Sequence, residues 1–497
     1  MKRFQITTIV LLLGLISCQK NQSEKEIIIT GKITGKIPDI IEYTAPINGI
    51  SFFGFKDTTN TDSLGNFQIK LMIDEPCFIE LSNDYKAYGT VIAEPGMEYD
   101  VLINTEGKKN TFRVKSNNKD GQELYNQIEN RSMIAGGHFE LESKIYMKDS
   151  IESEIIQKID ERKEAEILKF KKLLEKKVIS ESFYKLVSTD REYFFSGIQG
   201  SVAFVNYLLS ESGRNTLNKE EFSALWERIF KSQPISNTEL LKSPWFYYYT
   251  ENYLRYNELI KESIAIEKLS NIRQKDSVHT HNIEKAKQYL SDKQLEYYYA
   301  AYIYYEAINK NYEKELISLF QQFKNEYPTS QYSQFIEPEI IPIIAFHKKQ
   351  SDSLNEKIKF IDDFSNINSL KEVVKGLNAN RIYVDIWATW CGPCKKEFQY
   401  NAELYKFLKS KDVTVVYISI DKESREKKWR EMINYYELEG YHIRANKLLN
   451  TDLHNLRGKD AFGIPWHILT DGNGNIIKKY ISGPSQIETL EKQLNEK

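Results

Sequence analysis

The sequence predicts a multidomain chain: a C-terminal α/β domain, preceded by an N-terminal β-sandwich-like module and an α-helical middle domain. Three observations predict it. Short apolar strands separated by glycine turns come first, long charged segments with few glycines fill the centre, and strands alternate with helices in the remainder. A length of 497 residues leaves room for about three domains, and a hydrophobic content of 41% is enough for real cores. The 68 basic residues are matched by 70 acidic ones, so the chain lacks the single-sign field that would hold nucleic acid.

Residues 1–17 read as an export signal: Lys2 and Arg3 precede an apolar run from Ile6 to Ile16 that is too short to span a bilayer. The run ends Leu15-Ile16-Ser17-Cys18, which resembles the bacterial lipobox. That resemblance implies acylation of Cys18, a membrane held through lipid, and a tether over residues 18–25; several acyl chains anchor stably where one does not. Gln19 supplies no acidic retention residue, which favours the outer membrane over the inner.

Residues 26–117 form the β-rich module. Ile27-Ile28-Ile29-Thr30 has strand composition, and turns at Asp62 to Asn66 and at Glu94-Pro95-Gly96 precede strands Phe67 to Ile73 and Tyr99 to Ile103. Cys77 lies in an apolar strand and reads as a small buried hydrophobe. No catalytic constellation is visible in this module.

Residues 118–350 read as helical. Between Lys144 and Lys177, Ile151, Ile155, Ile159, Ile167, Phe170 and Leu174 recur at near-helical intervals amid opposite charges, as on a solvated amphipathic helix. Tyr298, Tyr302, Tyr305 and Ile308 step by three or four along one helix and read as a core-facing stripe rather than a ligand platform.

Residues 351–497 alternate strand and helix. Arg381 to Ala388 is a strand, Cys391 to Ser410 a helix and Val413 to Ile420 a parallel strand beside the first. Ser424 to Tyr435 is helical, Ile464 to Leu469 and Ile476 to Ile481 make a hairpin around Asp471 to Asn475, and Gln486 to Asn495 closes the domain as a helix.

The chemistry lies between the first of these strands and its helix, in Trp387-Ala388-Thr389-Trp390-Cys391-Gly392-Pro393-Cys394-Lys395-Lys396-Glu397. Two thiols at i and i+3 of a helix start are within disulfide reach. The unpaired N–H groups and positive dipole of the first turn favour a thiolate at Cys391, the expected nucleophile at an accessible edge. Cys394 is then the resolving thiol. So few cysteines in an exported chain means that disulfides do not hold the fold together.

The motif resembles the thioredoxin superfamily and, within it, the TlpA/ResA-like membrane-anchored group; the likeness covers about the last 145 residues. It implies a thioredoxin-like fold, no cofactor beyond a redox-active Cys391–Cys394 disulfide, and reduction of exported, cysteine-containing client proteins in the periplasm. Cytochrome c maturation and envelope redox homeostasis are the settings it points to, and a transmembrane electron donor is the partner it requires. It further implies that Asp385 exchanges a proton with Cys394 and that Glu397 tunes the thiols. Phe462-Gly463-Ile464-Pro465 fits the superfamily's cis-proline loop, in which the backbone of Ile464, beside Pro465, pairs with the client. Trp390, Gly392 and Pro393 complete the client-binding surface. Trp466 and His467 depart from the small or aliphatic residues usual after that proline, which leaves the contour of the client surface open. His467 itself reads as a strand histidine with an ordinary partner.

A zinc site is the first rival reading, but there is no second paired-cysteine motif, and His442, His454 and His467 are not at finger spacing, so no metal is expected. The other rival is an envelope surface binding lipoprotein in which the redox domain is accessory.

Overall fold

The computed structural model describes residues 25–83, 86–106, 111–129, 138–146, 152–211, 219–264, 278–349, 355–362, 364–458 and 463–495. The signal, Cys18, Gln19 and Phe462 lie outside the described residues. The chain divides into two compact units, one of residues 1–304 with 319–337, the other of residues 305–318 with 338–497.

The first unit opens with eight strands: β1 (Glu26–Thr34), β2 (Ile40–Thr44), β3 (Lys56–Asn60), β4 (Asn66–Met72), β5 (Cys77–Asn83), β6 (Lys86–Ala93), β7 (Glu98–Asn104) and β8 (Thr111–Lys115). They form two four-stranded sheets, ordered β4-β1-β7-β8 and β3-β2-β5-β6. Buried and exposed residues alternate along β1 and β7, the period of a sheet with one face inside. Ile27, Ile29, Tyr99, Val101 and Ile103 from one sheet share a single core with Ile41, Ile79, Leu81 and Val91 from the other. Gly31 is required in β1, because a methyl there would lie 1.9 Å from the Phe67 ring of the neighbouring β4.

The rest of this unit is helical. Helix Glu152–Glu175 occupies the expected amphipathic stretch, with Ile155, Ile159 and Phe170 buried. The tyrosine stripe on helix Asp292–Ile308 is broader than its spacing implied. Tyr297 through Ile303 are all buried, whereas Tyr305 and Ile308 are only partly so. A helix apolar all round is one enclosed by neighbours, and periodicity cannot reveal that.

The second unit is built on a six-stranded sheet of β9 (Ile358–Phe360), β10 (Arg381–Trp387), β11 (Val413–Ser419), β12 (Gly440–Arg444), β13 (Trp466–Asp471) and β14 (Ile476–Lys478), ordered β14-β13-β10-β11-β12-β9. β10 runs parallel to β11 and antiparallel to β13. Ile382 to Trp387 are buried on both faces, as a central strand demands. The helix expected from Cys391 to Ser410 is broken: helix Gly392–Glu397 gives way to a 3-10 turn at Phe398–Tyr400 before helix Asn401–Ser410. Phe398 in that turn is buried edge-on to Trp387, their ring centroids 5.2 Å apart.

Residues 305–318 and 338–349, read from composition as part of the helical region, group with this unit. Tyr312 and Phe346 stack at 4.7 Å, and each also meets Tyr435 at 5.1 Å, so aromatic packing draws them in.

Candidate active site

β10 delivers the chain to the turn Ala388-Thr389-Trp390, and helix Gly392–Glu397 starts immediately after Cys391. Pro393 stands in the first turn, where its missing N–H costs nothing. Asp421 secures the turn: its carboxylate accepts from the Thr389 backbone N–H and hydroxyl, each at 2.8 Å, and from the Ser419 hydroxyl at 2.7 Å.

Cys391 and Cys394 are joined in a disulfide with Cα atoms 5.3 Å apart. Cys391 caps the helix, its Sγ accepting the Cys394 backbone N–H at 3.1 Å. That bond is the first-turn donor which, in the reduced state, stabilises negative charge on this sulfur. Cys391 is 4% exposed and Cys394 is wholly enclosed. The solvent edge expected at Cys391 is therefore nearly closed in the disulfide form. The neighbouring Trp390 is 51% exposed, Pro393 is exposed, and a methyl on Gly392 would meet nothing within 4 Å, so open surface surrounds a nearly closed disulfide.

Asp385 is buried in β10, and neither carboxyl oxygen has a hydrogen-bond partner. Burial, reinforced by the charge of Glu397, pushes its carboxyl up to about 8. Glu397 ends the redox helix and accepts from the Ser485 backbone N–H at 2.9 Å and hydroxyl at 2.8 Å. The Ile464–Pro465 bond is cis. Arg457 supports that loop, donating to the Gly463 carbonyl at 2.9 Å with its guanidinium 4.9 Å from the centroid of the Trp466 ring.

Trp466 and His467 are both buried on β13 and contribute little surface to any client contour. The reading of His467 as an ordinarily partnered histidine is also corrected. Its Nε2 is buried without a hydrogen-bond partner and lies 3.6 Å from Asp385 Oδ1. Desolvation pushes the imidazole down to about 4. Although the contact has the geometry of an ion pair, these shifts describe a neutral carboxylic acid beside a neutral imidazole at pH 7.

Lys395 carries no role that the sequence alone reveals. Its side chain is enclosed, and Nζ donates to the carbonyls of Asn309 at 2.7 Å, Lys310 at 3.0 Å and Thr389 at 2.9 Å. Burial pushes its ammonium down to about 7. Cys77, by contrast, is a free, fully buried thiol pushed up to about 12 by desolvation.

A disulfide at a helix start, a strand-borne buried acid and a cis-proline loop together define a thioredoxin-superfamily redox domain. Residues 362–494 match the Redoxin family model, and the chain carries a Redoxin domain there. Among curated proteins, the thiol-disulfide oxidoreductase ResA of Bacillus subtilis is 27% identical over 22% of this chain and 58% of its own length. ResA of Bacillus cereus is 28% identical over 26% of this chain and 69% of its own. A thiol:disulfide interchange protein from Bacteroides sp., solved in solution, is 28% identical over 24% of this chain and 78% of its own, with a TM-score of 0.21. The chain thus spans little more than half the length of the first of these relatives.

Proposed function

We propose that this protein is a thiol-disulfide oxidoreductase of the ResA type that reduces disulfides in exported, cysteine-containing client proteins. The observation that carries this reading is the Cys391–Cys394 pair at a helix N-terminus, with the Cys394 N–H directed at Cys391 Sγ. In the reduced state the Cys391 thiolate attacks a client disulfide, forming a mixed disulfide and releasing one client thiolate. Asp385, which holds a proton at pH 7, first releases it; the carboxylate then takes the proton of Cys394, whose thiolate attacks the Cys391 sulfur. The intramolecular disulfide forms, the second client thiolate leaves, and two electrons have passed to the client. An extended client segment pairs with the Ile464 backbone beside Pro465 and covers Trp390, Gly392 and Pro393.

The protein acts from the cell envelope, held by lipid on Cys18 and facing the periplasm, with the outer membrane favoured. Lys2, Arg3, the apolar run and the Leu15-Ile16-Ser17-Cys18 ending support this. Among the described residues no helix is long and apolar enough to cross a membrane. A transmembrane electron donor restores the dithiol, and cytochrome c maturation or general envelope redox homeostasis is the setting.

The test is insulin-disulfide reduction by the full mature chain. Cys391→Ala is expected to fall to the uncatalysed rate, and Cys394→Ala to accumulate client mixed disulfides at Cys391. Equal activity of Cys391→Ala and wild type would leave a binding lipoprotein as the surviving reading.

A further inference from the structure

Asp385 has lost contact with water, yet the function proposed above has it gain and lose a proton on every cycle. Groups around it close most directions. Tyr383 on the same strand, Tyr417 on β11 and Tyr405 on helix Asn401–Ser410 all surround the carboxyl, and burial raises each of their hydroxyls, so none releases a proton near neutrality. Glu397 acts on it through charge. Toward β13 the situation differs. The register places His467 directly opposite Asp385, and its Nε2 faces the carboxyl at 3.6 Å with no other partner.

The far edge of the His467 ring reaches a cavity of about 380 Å³ that is also lined by Glu397, Pro465, Tyr480, Gly483 and Ser485. Gly483 keeps that edge open. A methyl on it would stand 2.8 Å from Glu397 Oε2, 2.8 Å from His467 Cε1 and 3.2 Å from His467 Nδ1, although the backbone there, at φ -78°, suits any residue. The segment is held in place by Tyr383, whose hydroxyl donates to the Ser482 carbonyl at 3.1 Å, and by the Ile481 N–H, which donates to the His467 carbonyl at 3.2 Å. The ring is braced against Tyr383, their centroids 5.5 Å apart.

We propose that His467 relays protons between the enclosed Asp385 carboxyl and the solvent-filled cavity bounded by Glu397 and Gly483. This deepens the oxidoreductase reading and rests on it. When a reducing thiolate attacks Cys391 Sγ, the Cys391–Cys394 bond breaks and Cys394 departs as a thiolate carrying the electron pair. Asp385 gives that thiolate its proton. His467 Nε2–H reprotonates the carboxylate while Nδ1 takes a proton from cavity water, and the ring, having exchanged tautomers, is neutral again. Resolution of a client mixed disulfide runs the same path backwards, from Cys394 through Asp385 to water. His467 touches no reacting sulfur and acts through Asp385. The contact is longer than a hydrogen bond, as proton-transfer contacts often are before the reacting state tightens them.

The experiment is reduction of the full mature oxidised chain by dithiothreitol, measured by rapid quench from pH 6 to 9 and corrected for thiolate concentration. Wild type is expected to slow above about pH 8, as Asp385 loses its proton. His467→Ala is expected to slow about 10-fold or more, and added imidazole to restore a good part of the rate through the vacated site. In an Asp385→Asn background, the same substitution should cost nothing further. Gly483→Ala retains the histidine but crowds its outer edge, so a smaller slowing of about 3-fold is expected; it also serves if His467→Ala folds poorly. A wild-type rate in either single variant overturns the relay. A slowing of His467→Ala that imidazole does not relieve, and that persists at full size with Asp385→Asn, also overturns it, because that is the mark of a structural role. Insulin reduction by wild type is scored separately: its absence defeats the oxidoreductase reading, whereas its presence with an unaffected His467→Ala defeats only the relay.

Discussion

The first unit and the C-terminal unit each bury a cysteine and an aspartate completely, and they treat them in opposite ways. Cys77 sits on β5 in the core shared by the two N-terminal sheets, with desolvation alone acting on its thiol. Cys394 is just as enclosed, but it lies in the first turn of a helix and is bonded to Cys391. Asp190 in the helical region is neutralised at once, with Arg191 Nε donating to Oδ2 at 2.8 Å and Tyr125 to the same oxygen at 3.3 Å. Asp385 has no cation and no donor. Burial alone does not mark chemistry. What distinguishes Asp385 is that it lacks both partners that Asp190 has, an adjoining guanidinium and a tyrosine hydroxyl, which is costly in a fold and useful in a reaction.

Removing the cation beside Asp190 is expected to cost the most. Arg191→Met leaves Asp190 buried beside Tyr125 without countercharge, and a loss of about 3–5 kcal/mol is expected in chemical denaturation. Disulfide exchange per folded molecule should be unchanged.

Removing the unsatisfied acid should act through pH. Folded Asp385 holds its proton to about pH 8, whereas the unfolded chain releases it near the ordinary carboxyl value of 3.8. The folded state therefore binds more protons between these limits, and its stability falls as pH rises through them. His467 contributes the opposite slope, since its folded value of about 4 lies below the ordinary 6.5, and stability from it is lost as pH falls below that point. The two slopes offset each other up to about pH 6.5, leaving a net decline of about 2 kcal/mol between pH 6.5 and 8. Asp385→Asn should abolish that decline while slowing exchange. A denaturation series that declines equally in both proteins would show that the carboxyl ionises normally.

Much of this site is legible in the sequence, and what is hidden is hidden for a reason. The cysteine pair is a local pattern, readable because a helix start carries its own residue chemistry, whereas Asp385 and the Ile464–Pro465 loop are reached only through the resemblance of the motif around the cysteines. His467 could not be paired with Asp385 from sequence, because the match depends on the antiparallel register of β13 against β10. Gly483 matters only through what approaches it, and Lys395 only through carbonyls of the distant 309–310 turn. β12 went unrecognised because Gly-Tyr-His-Ile-Arg has the composition of a loop; its burial comes from lying between β11 and β9. The domain boundary drawn from composition passed over the aromatic contacts of Tyr312 and Phe346, which no local pattern reports.

The smallest expected effect sharpens the contrast between the two buried thiols. Cys77→Ala removes a packed sulfur with no hydrogen-bond or charge role, so a loss of about 1 kcal/mol is expected, with exchange rates at wild-type level. A change in exchange rate would give Cys77 a part in the chemistry that its surroundings do not support.

Everything proposed for this site depends on the helix start making Cys391, and no other thiol, an anion ready to attack. The direct measurement is the pH dependence of iodoacetamide alkylation of the reduced full chain, with the modified residue identified by mass spectrometry. Modification is expected at Cys391 first, with a midpoint below the ordinary thiol value of about 8.5, while Cys394 and Cys77 stay unmodified. A midpoint at or above that value, or Cys394 reacting first, would contradict it.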